Sequence, residues 1–156
     1  MDTPYQVNLL RPHASLGYLL HRASKLGMAR SEAVFDNSEI SFTQWTVLAL
    51  VYSGTATSCA ELSRELDHNS GAMTRVIDQL QQRGLLARRP EAEDRRVTRL
   101  SVTPEGRAIV TDLAARISDL WNCILRDFSD SELANLLALL GRIVARLEAG
   151  DAQTGH

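Results

Sequence analysis

Apolar side chains recur along most of the chain at the spacing of an amphipathic helix. The spacing predicts a first helix over about 12–36, with Leu16, Leu19, Leu20, Ala23 and Leu26 on one face. Asn37-Ser38-Glu39 interrupts it. Ser41 followed three residues later by Gln44 makes a capping box that opens a second helix. Its expected stripe is Phe42, Trp45, Leu48, Ala49 and Tyr52, closed by Ser53-Gly54-Thr55. Ser58 with Glu61 repeats the capping pattern for a short third helix, with Cys59, Leu62 and Leu66 facing inward. Asn69 is a fitting N-cap for a fourth helix, which carries Met73, Val76, Ile77 and Leu80 at i, i+3, i+4, i+7 and stops at Gly84.

The period then falls to two. Segments 85–89 and 97–102 read as short strands, with Thr98, Leu100 and Val102 on one face and Arg99 and Ser101 on the other; 90–96 is the connecting loop. Thr103-Pro104-Glu105 restarts helix with an N-cap, a proline at the first helical position and an acid in the first turn. The fifth helix is expected to keep its period from Val110 to Phe128, about 25 residues and roughly 37 Å. Ser129 and Glu132 cap a sixth, expected to bury Leu133, Leu136, Leu137, Leu140, Ile143, Val144 and Leu147, and the tail frays. The fold class is therefore mainly α with a small β-hairpin wing, a winged helix-turn-helix. The expected division is 1–36 for an N-terminal dimerisation helix, 37–103 for a DNA-binding lobe, 104–148 for long dimerisation helices and 149–156 for the tail. Together they make one domain over about 10–148.

Composition trims the alternatives. The 156 residues are 44% apolar and 23% charged, ordinary for a globular chain. No apolar run approaches the ~20 residues of a bilayer span. The start Met1-Asp2-Thr3-Pro4 lacks the basic and apolar regions of a signal peptide, so a cytoplasmic location without membrane attachment is expected. Cys59 and Cys123 form neither a disulfide framework nor a metal knuckle. Neither common nucleotide-binding loop is present, and no nucleophile–base–orienter set emerges, so neither a cofactor nor an enzyme is expected. His13 and His21 stand ~12 Å apart along one helix and cannot share a metal without outside ligands, so no metal is expected.

The middle segment carries the chemistry. A helix pair followed by a hairpin places the second helix of the pair in a DNA major groove. Its inner face is apolar, and its outer face near the N-terminus is small and polar: Ser70, Gly71, Ala72, Thr74, Arg75 and Asp78. The helix start offers free N–H groups and partial positive charge to a phosphate, and Arg75 reaches a phosphate or a guanine edge. Six arginines lie between 83 and 99, with Glu91, Glu93 and Asp94 among them. A wing of this kind follows the backbone while its tip arginine enters a narrow minor groove, with Asp94 orienting a neighbouring arginine. A solvated, salt-bridged loop is the plainer alternative.

These residues resemble the MarR family of transcription regulators. The run Asn69-Ser70-Gly71-Ala72-Met73-Thr74-Arg75, with Leu80 and Gly84-Leu85, is similar to that family's recognition helix. Asp94-Arg95-Arg96, Leu100 and Thr103-Pro104-Glu105-Gly106 are similar to its wing and the step into the long helix. Phe42-Thr43-Gln44-Trp45 with Leu48 is similar to its second-helix motif. The resemblance implies a homodimeric regulator, a repressor or an activator, that binds a pseudo-palindromic double-stranded operator and releases it on binding a small aromatic or carboxylate effector. By that analogy Asn69, Ser70, Gly71, Ala72, Thr74, Arg75 and Arg88 contact DNA from the helix and strand, and Asp94, Arg95 and Arg96 from the wing, with Arg95 in the minor groove. The family's ligand cleft, between the first, second and fifth helices, points to Arg11, His13, Gly17, His21 and Trp45; plain core packing is the competing role for Trp45.

A fifth helix too long for a compact lobe favours a dimer on its own account, with Leu9–Leu20 and the last two helices at the interface. Two other readings stay open: a winged-helix protein-interaction module without DNA binding, and a cysteine-based redox-sensing regulator. The family's peroxide sensors carry their reactive cysteine near the start of the first helix, where this chain has none. Net charge is −2, but 68–107 holds eight basic against five acidic side chains, while 1–67 and 108–156 are each net negative. The only positive stretch is the one expected to meet DNA.

Overall fold

The computed structural model describes residues 11, 13, 15–90 and 98–150. The elements run α1 (Leu16–Ala33), α2 (Phe42–Ser53), α3 (Cys59–Glu65), α4 (Ser70–Gln82), β1 (Leu86–Pro90), β2 (Thr98–Val102), α5 (Pro104–Ile124) and α6 (Asp130–Gly150). The chain divides into two compact units, Met1–Ser118 and Asp119–His156.

Local capping explains most boundaries. Ser41 and Ser58 each accept from the backbone N–H three residues on, and Gln44 and Glu61 return the bond. Asn69 Oδ1 accepts from the Ala72 N–H at 2.8 Å and fixes the first turn of α4. Gly54 and Gly84, at φ +77° and +69°, end α2 and α4 in the left-handed region that favours glycine. Two helices are shorter than their periodicity predicts. Ser15 caps α1, so it begins at Leu16. Helix α5 has 21 residues, about 31 Å, because a turn over 125–128 precedes the Ser129 cap. The first strand, too, is shifted by one residue and takes in Pro90.

In the first unit one core gathers Val47, Leu48 and Val51 of α2, Leu62 of α3, and Met73, Ile77 and Leu80 of α4 with Leu85, Leu86 and Leu100 of the hairpin. Val110 and Leu113 of α5 close it. The buried face of α2 differs from the expected stripe: Val47 and Val51 are inside, whereas Tyr52 is exposed beneath the Arg107 guanidinium, 5.5 Å from its ring centroid. Strands β1 and β2 pair antiparallel with Leu86 opposite Val102 and Arg88 opposite Leu100. The Leu100 N–H donates to Thr57 O at 2.7 Å, so the segment before α3 lies against the hairpin.

Three elements meet at one junction. Thr103 Oγ1 donates to Gly84 O at 2.7 Å and accepts from the Gly106 N–H at 3.0 Å. A Cβ at Gly106 would stand 2.2 Å from Leu85 O, so only glycine lets α5 approach the hairpin this closely. The second unit is different in kind. No residue of α6 is buried within the chain, and Leu136, Leu137, Leu139, Val144 and Leu147 are exposed. Among the described residues the apolar stripe expected to be buried on α6 is only partly covered: Leu133, Leu140 and Ile143 are half-buried, and Leu136, Leu137, Val144 and Leu147 are exposed.

Candidate nucleic-acid interface

Helix α4 has two opposite faces. Met73, Ile77 and Leu80 are fully buried, each contributing about 1.5–3 kcal/mol from burial. Asn69, Ser70, Gly71, Thr74 and Arg75 are exposed, and Ala72 is half-buried. Thr74 Oγ1 donates to Ser70 O at 2.8 Å and lies 3.5 Å from Cys59 Sγ, so its hydroxyl is already oriented by α4 and α3.

Three polar contacts hold α4 to its surroundings. Asp78 accepts from Arg88 of β1 at 3.0 Å. Gln79 accepts from Gln44 Nε2 at 3.0 Å, while Gln44 Oε1 completes the α2 capping box. Arg83, the residue that ends α4, donates to the main-chain carbonyl of Glu39 and, at 3.2 Å, to its carboxylate. The sequence places Asp78 on the outer face of α4; its half-exposed carboxylate also ties the helix to β1. Sequence reading missed Gln79, Glu39 and Arg83 as anchors, because their partners lie 35 and 44 residues away.

On the hairpin, Arg88 and Arg89 are exposed, and Arg99 Nη1 donates to Thr57 Oγ1 at 2.9 Å. Asp94, Arg95 and Arg96 lie outside the described residues. Just before α3, Glu61 is held below the ordinary carboxylate value, first by the Thr57 N–H at 2.7 Å and then by the Ser58 hydroxyl and N–H, against opposing desolvation. Glu132 is lowered in the same way, by the N–H and hydroxyl of Ser129.

The five expected effector residues do not converge on one described cavity. Arg11, His13, Gly17 and His21 are exposed, and the His13 ring meets Tyr18 edge-on at 6.2 Å. Trp45 packs with Phe35 and Phe42, centroids 5.7 and 5.9 Å away, and its indole N–H donates to Val110 O at 3.3 Å. Those contacts make Trp45 part of the packed lobe. Cys59 is half-buried and Cys123 exposed, both free thiols. Among the described residues no group of three or more His, Cys, Asp or Glu is placed to hold a metal, and no helix is long and apolar enough to cross a membrane.

Residues 40–98 match the family model for the MarR family. The HTH-type transcriptional regulator PecS of Dickeya dadantii is 30% identical over 131 residues, 82% of this chain and 79% of PecS. The chain belongs to the MarR family. Among solved structures, wild-type MarR from E. coli is 26% identical with a TM-score of 0.69, covering 83% of this chain and 96% of that one. Bordetella bronchiseptica BpsR, whose DNA binding is regulated by 6-hydroxynicotinic acid, is 23% identical with a TM-score of 0.70, covering 91% and 98%. In this MarR-family regulator the six helices and the two-stranded antiparallel hairpin match the winged-helix fold of the solved MarR structures.

Proposed function

We propose that this MarR-family chain is a homodimeric, sequence-specific DNA-binding repressor, released from a pseudo-palindromic operator by a small aromatic or carboxylate effector. The observation that carries the DNA reading is the division of α4: Met73, Ile77 and Leu80 are at zero exposure, while Ser70, Gly71, Thr74 and Arg75 are presented to solvent. A helix anchored so firmly on one side offers its other side as a rigid reader. Asn69 and Ala72 shape its N-terminus for close approach, and Arg75 reaches a base edge or phosphate. Arg88 binds backbone, and Arg95, flanked by Asp94 and Arg96, enters the minor groove.

Dimerisation is supported by the uncovered leucines of α6 and by the exposed Leu16, Leu19 and Leu26 of α1. Two lobes related by a two-fold axis place two recognition helices about one DNA turn apart, ~34 Å. The functional division into a 1–36 helix, a 37–103 lobe, 104–148 helices and a 149–156 tail belongs to the same proposal. So do action in the cytoplasm and an effector held by Arg11, His13, Gly17 and His21 beside Trp45. Nothing in the site suggests turnover of a substrate.

Nuclease footprinting on the DNA flanking its own gene tests the proposal, repeated with a panel of aromatic acids. The expected result is a protected inverted repeat that disappears with one compound. No protection at any concentration would favour a protein-interaction module, and protection lost only on thiol oxidation would favour a redox sensor.

A further inference from the structure

Thr74 stands on the exposed face of α4, with Ser70 and Gly71 one turn before it. By residue type it belongs to the polar set of that face. Its hydroxyl, however, is already engaged. Thr74 Oγ1 donates its only hydrogen to Ser70 O at 2.8 Å, and Cys59 Sγ of α3 lies 3.5 Å from the same oxygen. Cys59 Sγ also stands 3.9 Å from Ser70 O, so thiol, hydroxyl and carbonyl form one cluster between the two helices.

A threonine carries two heavy atoms on Cβ and has few allowed χ1 settings in a helix. Once Oγ1 is turned to Ser70 O, the position of the Cγ2 methyl follows. With the hydroxyl hydrogen spent, the methyl is the group that Thr74 has left to offer a partner on its exposed side. Nothing bulky stands in front of it. A Cβ added at Gly71 would find Asn69 Oδ1 at an ordinary 3.5 Å and no side chain closer. A flat edge can therefore approach closely over Ser70 and Gly71.

Most groups on the floor of a DNA major groove are hydrogen-bond donors and acceptors; the C5-methyl of thymine is the one read by apolar contact. We infer that Thr74 is a specificity-determining residue that selects thymine through its methyl group, with Ser70 O and Cys59 holding its hydroxyl out of the readout. Arg75, its neighbour, remains the hydrogen-bonding reader. The inference rests on the DNA-binding function proposed above and names the base that one residue of that surface selects.

The experiment titrates the full chain, by anisotropy, against the fragment flanking its own gene, prepared once with thymine and once with uracil in its place. The exchange deletes methyl groups and leaves every hydrogen-bonding edge intact. Because it deletes all of them at once, the quantity compared is each variant's ratio of thymine to uracil affinity against that of wild type. Thr74→Ser keeps the hydroxyl and loses the methyl, and its ratio should fall by about fourfold for each bound copy of α4, the worth of one buried methyl. Thr74→Ala, a better helix former, loses both groups and should fall equally, which keeps the test sound if the serine variant folds poorly. Thr74→Val keeps a methyl and loses the hydroxyl, and its ratio should stay within about twofold of wild type. A ratio unchanged in Thr74→Ser and Thr74→Ala, or lost in Thr74→Val, overturns the inference while DNA binding stands. A wild-type chain that binds neither fragment overturns the DNA-binding function, and this inference with it.

Discussion

Arg88 of the hairpin strand β1 and Asp78 of helix α4 form an ion pair at 3.0 Å, both side chains about half exposed. The pair joins the two elements proposed to meet DNA, so the orientation of one is felt by the other. Its energetic weight is small, because solvent screens an exposed pair and two long side chains must be ordered to make it.

Arg88→Ala is therefore expected to lower folding stability by less than about 1 kcal/mol, measured by urea denaturation. Its effect on DNA is expected to be uniform across sequences, with the salt slope of binding falling by about one. A change confined to the operator sequence would assign Arg88 to base reading instead.

Gly106→Ala is expected to destabilise the lobe by about 1–3 kcal/mol or more, because α5 and β1 would have to separate. The added methyl group would meet Leu85 O at 2.2 Å and Val102 Cγ1 at 2.8 Å. A urea midpoint equal to wild type would refute the close approach.

The local features were legible in the sequence, and the remote ones were not. Ser41, Ser58, Asn69, Thr103 and Ser129 announce helix starts because a cap and its partner lie within three residues of each other. The inner face of α4 was legible because its apolar positions form one stripe. Helix α2 is apolar on every side, so periodicity could not tell that Val47 and Val51, rather than Tyr52, face the core. The contacts of Gln44 with Gln79 and of Glu39 with Arg83 span 35 and 44 residues, and nothing in residue type or spacing signals them. Trp45 carries an aromatic ring that suits an effector wall equally well as a core, and only its packing with Phe35 and Phe42 reveals the second role.

Acid should weaken the fold partly through Glu61. Its carboxylate lies below its ordinary value of 4.5 because the Thr57 N–H, then the Ser58 hydroxyl and N–H, favour the charged form. A lowered folded-state value contributes stability that is complete above 4.5 and is lost as pH falls through the folded value. The stability gap between wild type and Glu61→Gln should thus be widest at neutral pH and close on acidification below 4.5, followed by thermal melts. A gap independent of pH would remove Glu61 from the account.

Leu137 and Leu147 on α6 are 61% and 65% exposed within one chain, which a dimer interface would explain. Leu137→Asp with Leu147→Asp is expected to convert a dimer to a monomer in sedimentation, because the buried charges have no partner. A wild-type chain that sediments as a monomer would contradict the interface.

The central claim is that α4 and the wing bind DNA, and a salt titration of that binding tests it most directly. Wild type should lose affinity steeply as salt rises, because neutralised phosphates release counterions. Arg95→Ala should cost about 1–3 kcal/mol at the operator, and adding Arg75→Ala should weaken it further and flatten the salt slope. Binding that is independent of salt, or untouched by loss of Arg75 and Arg95 together, would contradict the claim.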